Sequence, residues 1–152
     1  MIEHYLANSR FDEALDQCLK ELELNPHSSA VKKHLGRIYI QLRDAAKGIP
    51  VLIEALASDP EDANARMDLG RGYELTEEWD KAVEQYKLAL ELDPAMNRVH
   101  YVLGRIYRQL GELELAREQY RLFRENESRT HEEHVDRIQR LRRRESAPSD
   151  RP

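Results

Sequence analysis

Apolar and polar positions along this chain follow the period of an α-helix. Around residue 86 the apolar residues recur every three or four positions, as expected for helices that bury one face. They form one broad stripe of Val83, Tyr86, Leu88, Ala89, Leu90 and Leu92. The same helical spacing recurs in the neighbouring segments, so the pattern predicts an all-α chain.

The pattern also repeats every 34 residues. Tyr5, Tyr39, Tyr73 and Tyr107 form one column of this period, and Leu-Gly-Arg triplets begin at residues 35, 69 and 103. A small-residue column contains Ala14, Gly48, Ala82 and Ala116, and prolines follow at residues 26, 60 and 94. A fixed period of this length indicates an array of structural repeats.

Each column has a structural reason. A glycine after the leucine lets two helices approach closely, since it has no Cβ, and the small residue does the same from the facing helix. The tyrosine ring fills the space between neighbouring hairpins. A proline stops the second helix of each block because it lacks an N–H group. The columns therefore predict closely packed helical hairpins joined by proline-containing turns.

Together these residues resemble the tetratricopeptide repeat family. The match is best in residues 63–96, through Leu69, Gly70, Tyr73, Trp79, Ala82, Tyr86, Ala89 and Pro94. The resemblance implies an all-α solenoid of antiparallel helical hairpins with about three and a half repeats. We expect a partial repeat in 1–28, whole repeats in 29–62, 63–96 and 97–130, a capping helix in 131–145 and a disordered tail in 146–152.

Two blocks depart from the family pattern. Gly48 and Pro50 fall inside the second helix of block 29–62, and they predict a kink or a loosened first turn there. In the last block, Phe123, Asn126 and Ser128 stand where alanine, leucine and proline would be. That loss of pattern is expected where a chain leaves the array.

Solenoids of helix pairs bind partners along the surface that their first helices line. Helical angles place ten residues on this surface: Lys33, Arg37, Asn64, Met67, Arg71, Glu74, Arg98, Tyr101, Arg105 and Arg108. The same offsets place Ile40 there. Arg37, Arg71 and Arg105 form a ladder with one arginine per repeat, on a chain whose formal net charge is -5.

Because guanidinium groups bind carboxylates bidentately, the ladder predicts a basic concave groove. Its partner would be a peptide that is acidic or ends in a free carboxylate. The alternative is that these arginines are ordinary solvated residues on exposed helix faces. The function expected is a protein–protein interaction scaffold.

Two other functions stay open. The first is self-assembly into a homo-oligomer through an exposed apolar face at the N-terminal repeat edge. The second is contact of the Arg-rich C-terminal helix with nucleic acid or an anionic surface, through Arg137, Arg140, Arg142, Arg143 and Arg144. The negative net charge counts against nucleic acid. Glu132, Glu133 and Asp136 precede the arginines and also weaken that hypothesis.

Catalytic and metal-binding motifs are weak. His131 and His134 are spaced i, i+3, whereas the zinc-protease motif needs i, i+4. Cys18 is the only cysteine, and it shares a column with Leu52 and Tyr86, which predicts a buried core thiol. We therefore expect no enzyme activity, cofactor, metal or small-molecule substrate.

The sequence contains no apolar run long enough to span a membrane. The first ten residues also lack the basic and apolar regions of a signal peptide. A soluble cytoplasmic protein is expected, unless a targeting segment precedes Met1.

Overall fold

The structure, a computed structural model, describes residues 2–7 and 10–145. Its helices, in chain order, are α1 (Ile2–Ala7), α2 (Phe11–Leu24), α3 (Ser29–Gln41), α4 (Ala45–Ser58), α5 (Ala63–Leu75), α6 (Trp79–Leu92), α7 (Asn97–Gln109) and α8 (Leu113–Glu145). The predicted all-α class is confirmed. The chain divides into two compact units, Met1–Val99 and His100–Pro152.

In the first unit each helix packs against the next one in the chain. α1 packs on α2, α2 on α3, α3 on α4, α4 on α5 and α5 on α6, and α3 also contacts α5 directly. One core cluster contains Cys18 and Ile38, and a second contains Ile40 and Leu52. The buried stripe predicted around residue 86 is correct for Tyr86 and Ala89 but wrong for Leu92, which is 40% exposed at the end of α6.

Two glycines allow α3 and α4 to pack closely. A Cβ atom on Gly36 would lie 2.5 Å from Cγ of Leu52, and one on Gly48 would lie 2.5 Å from Cδ1 of Ile40. Gly48 therefore occupies the alanine column because Ile40 fills the space that an alanine methyl would need. α4 continues through Pro50 as one helix, and the kink or loosened first turn expected there stays a prediction.

The turns inside the hairpins α3–α4, α5–α6 and α7–α8 share one geometry. The backbone N–H groups of Asp44, Glu78 and Glu112 donate to the carbonyl oxygens of the tyrosine column, at 2.8, 2.9 and 2.9 Å. A hydrogen bond from the N–H of residue i+5 to the carbonyl oxygen of residue i is typical of the Schellman motif that ends a helix. The residue before each donor has a positive φ of 61° at Arg43, 60° at Glu77 and 80° at Gly111.

The turns between hairpins agree with the proline column. α2, α4 and α6 end at Leu24, Ser58 and Leu92, each two residues before a proline. In the following turns, Ser28 and Asp62 cap the next helices by accepting from the N–H groups of Val31 and Ala65. Such caps satisfy N–H groups that the first helical turn leaves without a partner.

In the second unit the structure differs from the predicted boundary at residue 130. α8 is one continuous helix from Leu113 to Glu145, so the 131–145 segment is not a separate helix laid over the last hairpin. Side chains 127–134 and 136–142 are exposed. The physical reason is local: no proline or glycine interrupts 113–145, and Ser128 stands where proline ended the earlier blocks. The predicted tail, 146–152, lies outside the described residues.

Candidate functional site

The surface formed by α3 and α5 carries the predicted groove residues of the first two whole repeats. They are Lys33 and Arg37 on α3, and Asn64, Met67, Arg71 and Glu74 on α5. Asn64 and Arg71 are exposed, and the other four are half-buried. We call these six residues the α3–α5 surface. Ile40 was also predicted here, but it is only 1% exposed, since it fills the space beside Gly48 and Gly72.

Lys33 is held by two carboxylates from the loop before α5. Its Nζ lies 2.5 Å from Oδ2 of Asp62 and 3.3 Å from Oδ2 of Asp59. The hydrogen bond to Asp62 raises the pKa of Lys33. Because Asp62 also caps α5, Lys33 ties the start of α5 to α3. Its charge is therefore largely compensated within the chain.

Arg37 is similarly bound to the next repeat. Its Nε donates to Oδ2 of Asp68 at 2.8 Å, and the Asp68 residue is only 5% exposed. Burial raises the pKa of Asp68, although the nearby charges of Arg37 and Arg71 act in the opposite direction. A buried carboxylate needs such a partner, because an uncompensated charge in the protein interior is costly. The helical angles predicted Arg37 in the groove but not this pairing with Asp68.

Arg71 differs from the two cations before it. It is exposed, and the described part of the chain offers it no ion pair. Glu74, one turn further along α5, accepts a hydrogen bond from the hydroxyl of Tyr86 at 2.5 Å. The cations of the predicted ladder are therefore not equivalent: Arg37 stabilises the packing of two repeats, whereas Arg71 faces solvent.

The remaining predicted residues belong to α7. Arg98 is exposed and lies in the first unit. In the second unit Arg105 is half-buried, Arg108 is exposed, and Tyr101 is 49% exposed. The ring of Tyr101 is turned toward α8, with its centroid 5.9 Å from that of Tyr120 and 5.5 Å from that of Phe123.

These three rings border a cavity of about 440 Å³ in the second unit. It is lined by Tyr101, Arg117, Tyr120, Phe123 and Arg124, which we call the aromatic pocket. The pocket joins flat apolar rings to cationic edges, a combination that suits an apolar side chain with acidic neighbours.

The sequence contains a signal for this pocket in the 34-residue columns of α8. Arg117 and Arg124 stand one period after Val83 and Leu90, so cations replace apolar residues at two positions of α8. Phe123 replaces the alanine of its column with a large ring. The three exchanges together change this face of the hairpin from a packing surface to an open pocket.

Cys18 is a core residue, as predicted. It is fully buried, and burial raises the pKa of its thiol to about 11, which disfavours the nucleophilic thiolate. His131 and His134 are exposed on α8. Among the described residues, no three histidine, cysteine or carboxylate side chains are grouped as a metal site would require.

The chain belongs to the tetratricopeptide repeat family. The family's sequence model, described as "Tetratricopeptide repeat", matches residues 33–97 and 76–128, which together exceed half of the chain. The predicted family and its α-solenoid fold class are confirmed. The comparison supports a protein-interaction module, of a kind that is typically non-catalytic.

Solved structures of MamA share this fold. The chain is 25% identical to "MamA 41-end from Desulfovibrio magneticus RS-1", with a TM-score of 0.78 over 84% of this chain and 72% of that one. It is 25% identical to the "MamA RS-1 ArsTM double mutant", with a TM-score of 0.79 over 86% and 73% of the two chains. For "MamA MSR-1 C2" the identity is 25% and the TM-score 0.73, over 83% and 72%.

A search of curated protein sequences found no significant match. Within residues 2–7 and 10–145, no helix combines the length and apolar character needed to cross a membrane.

Proposed function

We propose that this chain is a scaffold that binds a carboxylate-bearing segment of a partner protein on the α3–α5 surface, with Arg71 as its main anchor. The observation that supports this most directly is the contrast between Arg71 and Arg37. Arg37 is paired with Asp68, whereas Arg71 is exposed and has no such partner among the described residues. Of the cations predicted to line a basic groove, Arg71 and its neighbours on α5 are therefore the ones that would contact the partner.

The surroundings of Arg71 suit an acidic peptide. Its guanidinium group can bind a carboxylate through two parallel hydrogen bonds. Met67 and Asn64 lie one and two turns before it on the same face of α5, and they offer an apolar contact and an amide. The neighbouring Asp68 is already compensated by Arg37, so it repels an incoming carboxylate less than a lone aspartate would.

Arg37 and Lys33 have a different role in this proposal. Their side chains hold α3 against the start and the middle of α5, through Asp62 and Asp68. They position the helix that carries Arg71 and do not contact the partner. A rigid support of this kind reduces the entropy lost on binding.

The experiment measures binding of fluorescent acidic peptides, prepared with free and with amidated C-termini, to the full chain. Arg71→Glu should weaken binding at least tenfold, because it replaces attraction by repulsion. Lys87→Glu is the matched control: it makes the same charge change at an exposed position of α6 and should leave affinity within about twofold.

The two peptide forms separate the possible sources of the carboxylate. Loss of binding on amidation assigns the terminal carboxylate, and retained binding assigns acidic side chains. Equal affinities for the Arg71→Glu and Lys87→Glu variants would contradict the proposed anchor.

A further inference from the structure

The solvent-facing side of α4 carries an uncharged apolar stripe. It consists of four exposed residues, which we call the α4 stripe: Ala46, Pro50, Ile53 and Ala57. Their i, i+4, i+7 and i+11 spacing places them within about 60° of one another around the helix. The fully buried Leu52 lies on the opposite side, and Ile53 is 47% exposed. The stripe therefore faces away from the core of the first unit.

The other second helices of the hairpins are charged at the same positions. One period before and after α4, these positions hold Asp12, Asp16, Leu19 and Glu23 on α2, and Asp80, Glu84, Lys87 and Glu91 on α6, all of them exposed. Two periods after α4, they hold Glu114, Glu118, Arg121 and Glu125 on α8. Charged residues are the usual choice on the solvated face of a helix. The repeat therefore does not require the apolar stripe of α4.

Carboxylates border the α4 stripe on both sides. Stacked repeats carry equivalent positions on one surface, so the solvent faces of α2 and α6 adjoin that of α4 within the first unit. On α2 the three carboxylates are accompanied by one cation, Lys20, which pairs with Asp16 at 2.6 Å. On α6 the three carboxylates are accompanied by Lys87. The surroundings of the stripe are therefore acidic on each side.

Pro50 adds a hydrogen-bond acceptor to the stripe. Because proline has no N–H group, the helical hydrogen bond from residue 50 to the carbonyl oxygen of Ala46 cannot form. Ala46 is exposed and lies one turn before Pro50 on the same face. Its carbonyl oxygen can therefore accept a hydrogen bond from a cationic side chain of a partner.

We propose that the α4 stripe binds an amphipathic helix of a partner protein whose apolar face is bordered by lysine or arginine. Its apolar side chains would lie along Pro50 and Ile53, and its cations would reach the carboxylates of α2 and α6. The acidic border repels nucleic acid, anionic membranes and acidic peptides. A partner that is both apolar and basic matches the stripe and its border together.

The dimensions of the stripe suit a helix. Ala46 and Ala57 are 11 residues apart (57 minus 46), which is about 16 Å, so about three helical turns cover the stripe. The small side chains at its two ends let a second helix approach closely. Leu19 of α2 stands in the column of Ile53 and is 45% exposed, so the apolar surface extends toward α2.

This surface differs from the one in the proposed function. Arg71 is on α5 and selects a carboxylate, whereas the α4 stripe selects a basic helix. The two hypotheses therefore stand or fall separately.

The first test measures binding of a fluorescent peptide of about 18 residues, or five helical turns, to the full chain. The peptide has leucines on one helical face and lysines on the others, and a scrambled peptide of the same composition is its control. The amphipathic peptide should bind at least tenfold more tightly than the scrambled one. Equal affinities would show attraction by net charge alone and overturn the proposal.

Variants of the chain locate the contact. Ile53→Lys should weaken binding of the amphipathic peptide at least tenfold, because it removes an apolar contact and repels the lysines. Leu110→Lys is the matched control, since it makes the same charge change at a leucine that is 38% exposed just after α7. It should leave the affinity within about twofold. Equal losses in the two variants would contradict binding at the stripe.

A methyl NMR spectrum of the isoleucines gives a direct readout. The amphipathic peptide should shift the signal of Ile53 and leave that of Ile138, which is 37% exposed on α8, unchanged. A shift of Ile138 without one of Ile53 would assign the peptide to α8 and overturn the proposal. A shift of Ile53 with rising concentration of the chain alone would assign the stripe to a second copy, which would also overturn it.

Discussion

The helices α4 and α8 occupy the same place in the repeat, but equivalent positions are packed against the next hairpin on α4 and line an open pocket on α8. On α4, Ile49 and Leu56 pack toward α5: Cγ1 of Ile49 would lie 2.8 Å from a Cβ on Gly72, and Leu56 is 8% exposed. On α8 the corresponding positions are Arg117 and Arg124, which line the open aromatic pocket. Two side chains per hairpin therefore distinguish an outer face that packs against another hairpin from one that stays open to a different partner.

Polar contacts show the same contrast. In the first unit Lys33 and Arg37 each reach carboxylates on or just before the next first helix, at sequence separations of 26 to 31 residues. On α8 the ion pairs of Arg117 and Arg121 are i, i+3 and i, i+4 pairs along one exposed helix. Pairs of the first kind hold repeats together, while pairs of the second kind support only their own helix.

The largest effect on stability is expected from breaking the ion pair between Arg37 and Asp68, which joins two repeats. Arg37→Met leaves the buried Asp68 carboxylate without its partner and should destabilise the chain by about 3 kcal/mol. Urea unfolding followed by circular dichroism measures the change. Arg117→Met, which removes an exposed pair on α8, should cost less than about 0.5 kcal/mol. Similar losses in both variants would show that the two kinds of ion pair do not differ.

A second effect should appear where helices pack through glycine. Gly36→Ala places a methyl group 2.5 Å from Cγ of the fully buried Leu52, and should cost about 2 kcal/mol. Gly104→Ala meets the ring of Tyr120 at 2.8 Å, but that ring borders the open pocket and can shift. The gain in helix propensity of about 1 kcal/mol should then leave Gly104→Ala nearly neutral.

The same unfolding assay compares the two glycine variants. If Gly104→Ala proves as destabilising as Gly36→Ala, Tyr120 is held as firmly as a core residue and the pocket is less adaptable than its exposure indicates.

The turns inside the hairpins should give a smaller effect. Glu77 has a φ of 60°, a left-handed conformation that costs a residue with a side chain about 1 kcal/mol relative to glycine. Glu77→Gly should therefore raise the free energy of unfolding by up to about 1 kcal/mol. At the equivalent turn Gly111 has a φ of 80°. Gly111→Ala should therefore lower the free energy of unfolding by a similar amount. Changes of the same sign in both variants would contradict this account.

The smallest effect expected is a pH dependence caused by Asp68. Burial raises its pKa in the folded state above the ordinary value of 3.8, so the folded chain takes up this proton more readily than the unfolded chain. Its contribution to stability therefore increases as pH falls from the raised pKa toward 3.8, and the cost of its buried charge is fully present above that window. Subtracting the pH profile of Asp68→Asn from that of the unmodified chain isolates this term. A difference that does not vary with pH would show that Asp68 has the same pKa in both states.

The spacing of residues along the sequence was sufficient to predict most of the fold. The 34-residue columns located the hairpins, and the prolines located the ends of α2, α4 and α6. The column of Cys18 correctly indicated a core position. These features depend on spacing within one or two helices, where helical geometry gives direction directly.

The candidate site could be predicted only in part. Angles around α3 and α5 identified the face that carries Arg37 and Arg71, but they did not show which of the two cations would be paired. Ile40 was misplaced because its direction depends on the space left by Gly48 and Gly72 on other helices. The loss of the 34-residue repeat pattern after Tyr120 indicated where the array ends. It did not indicate whether the chain would turn or continue as one helix.

Periodicities carried by neighbouring residues were thus sufficient for the family and for the helices as far as the start of α8, but not for the length of α8. The pairing of Arg37 with Asp68 of the next repeat, and the exposure of Arg71, became visible only in the folded chain. The tertiary structure also decided that Tyr101 turns toward Tyr120 and Phe123. The physical reason is the same in each case: these contacts join side chains 19 to 31 residues apart, and their energy depends on burial and distance across helices that no local pattern specifies.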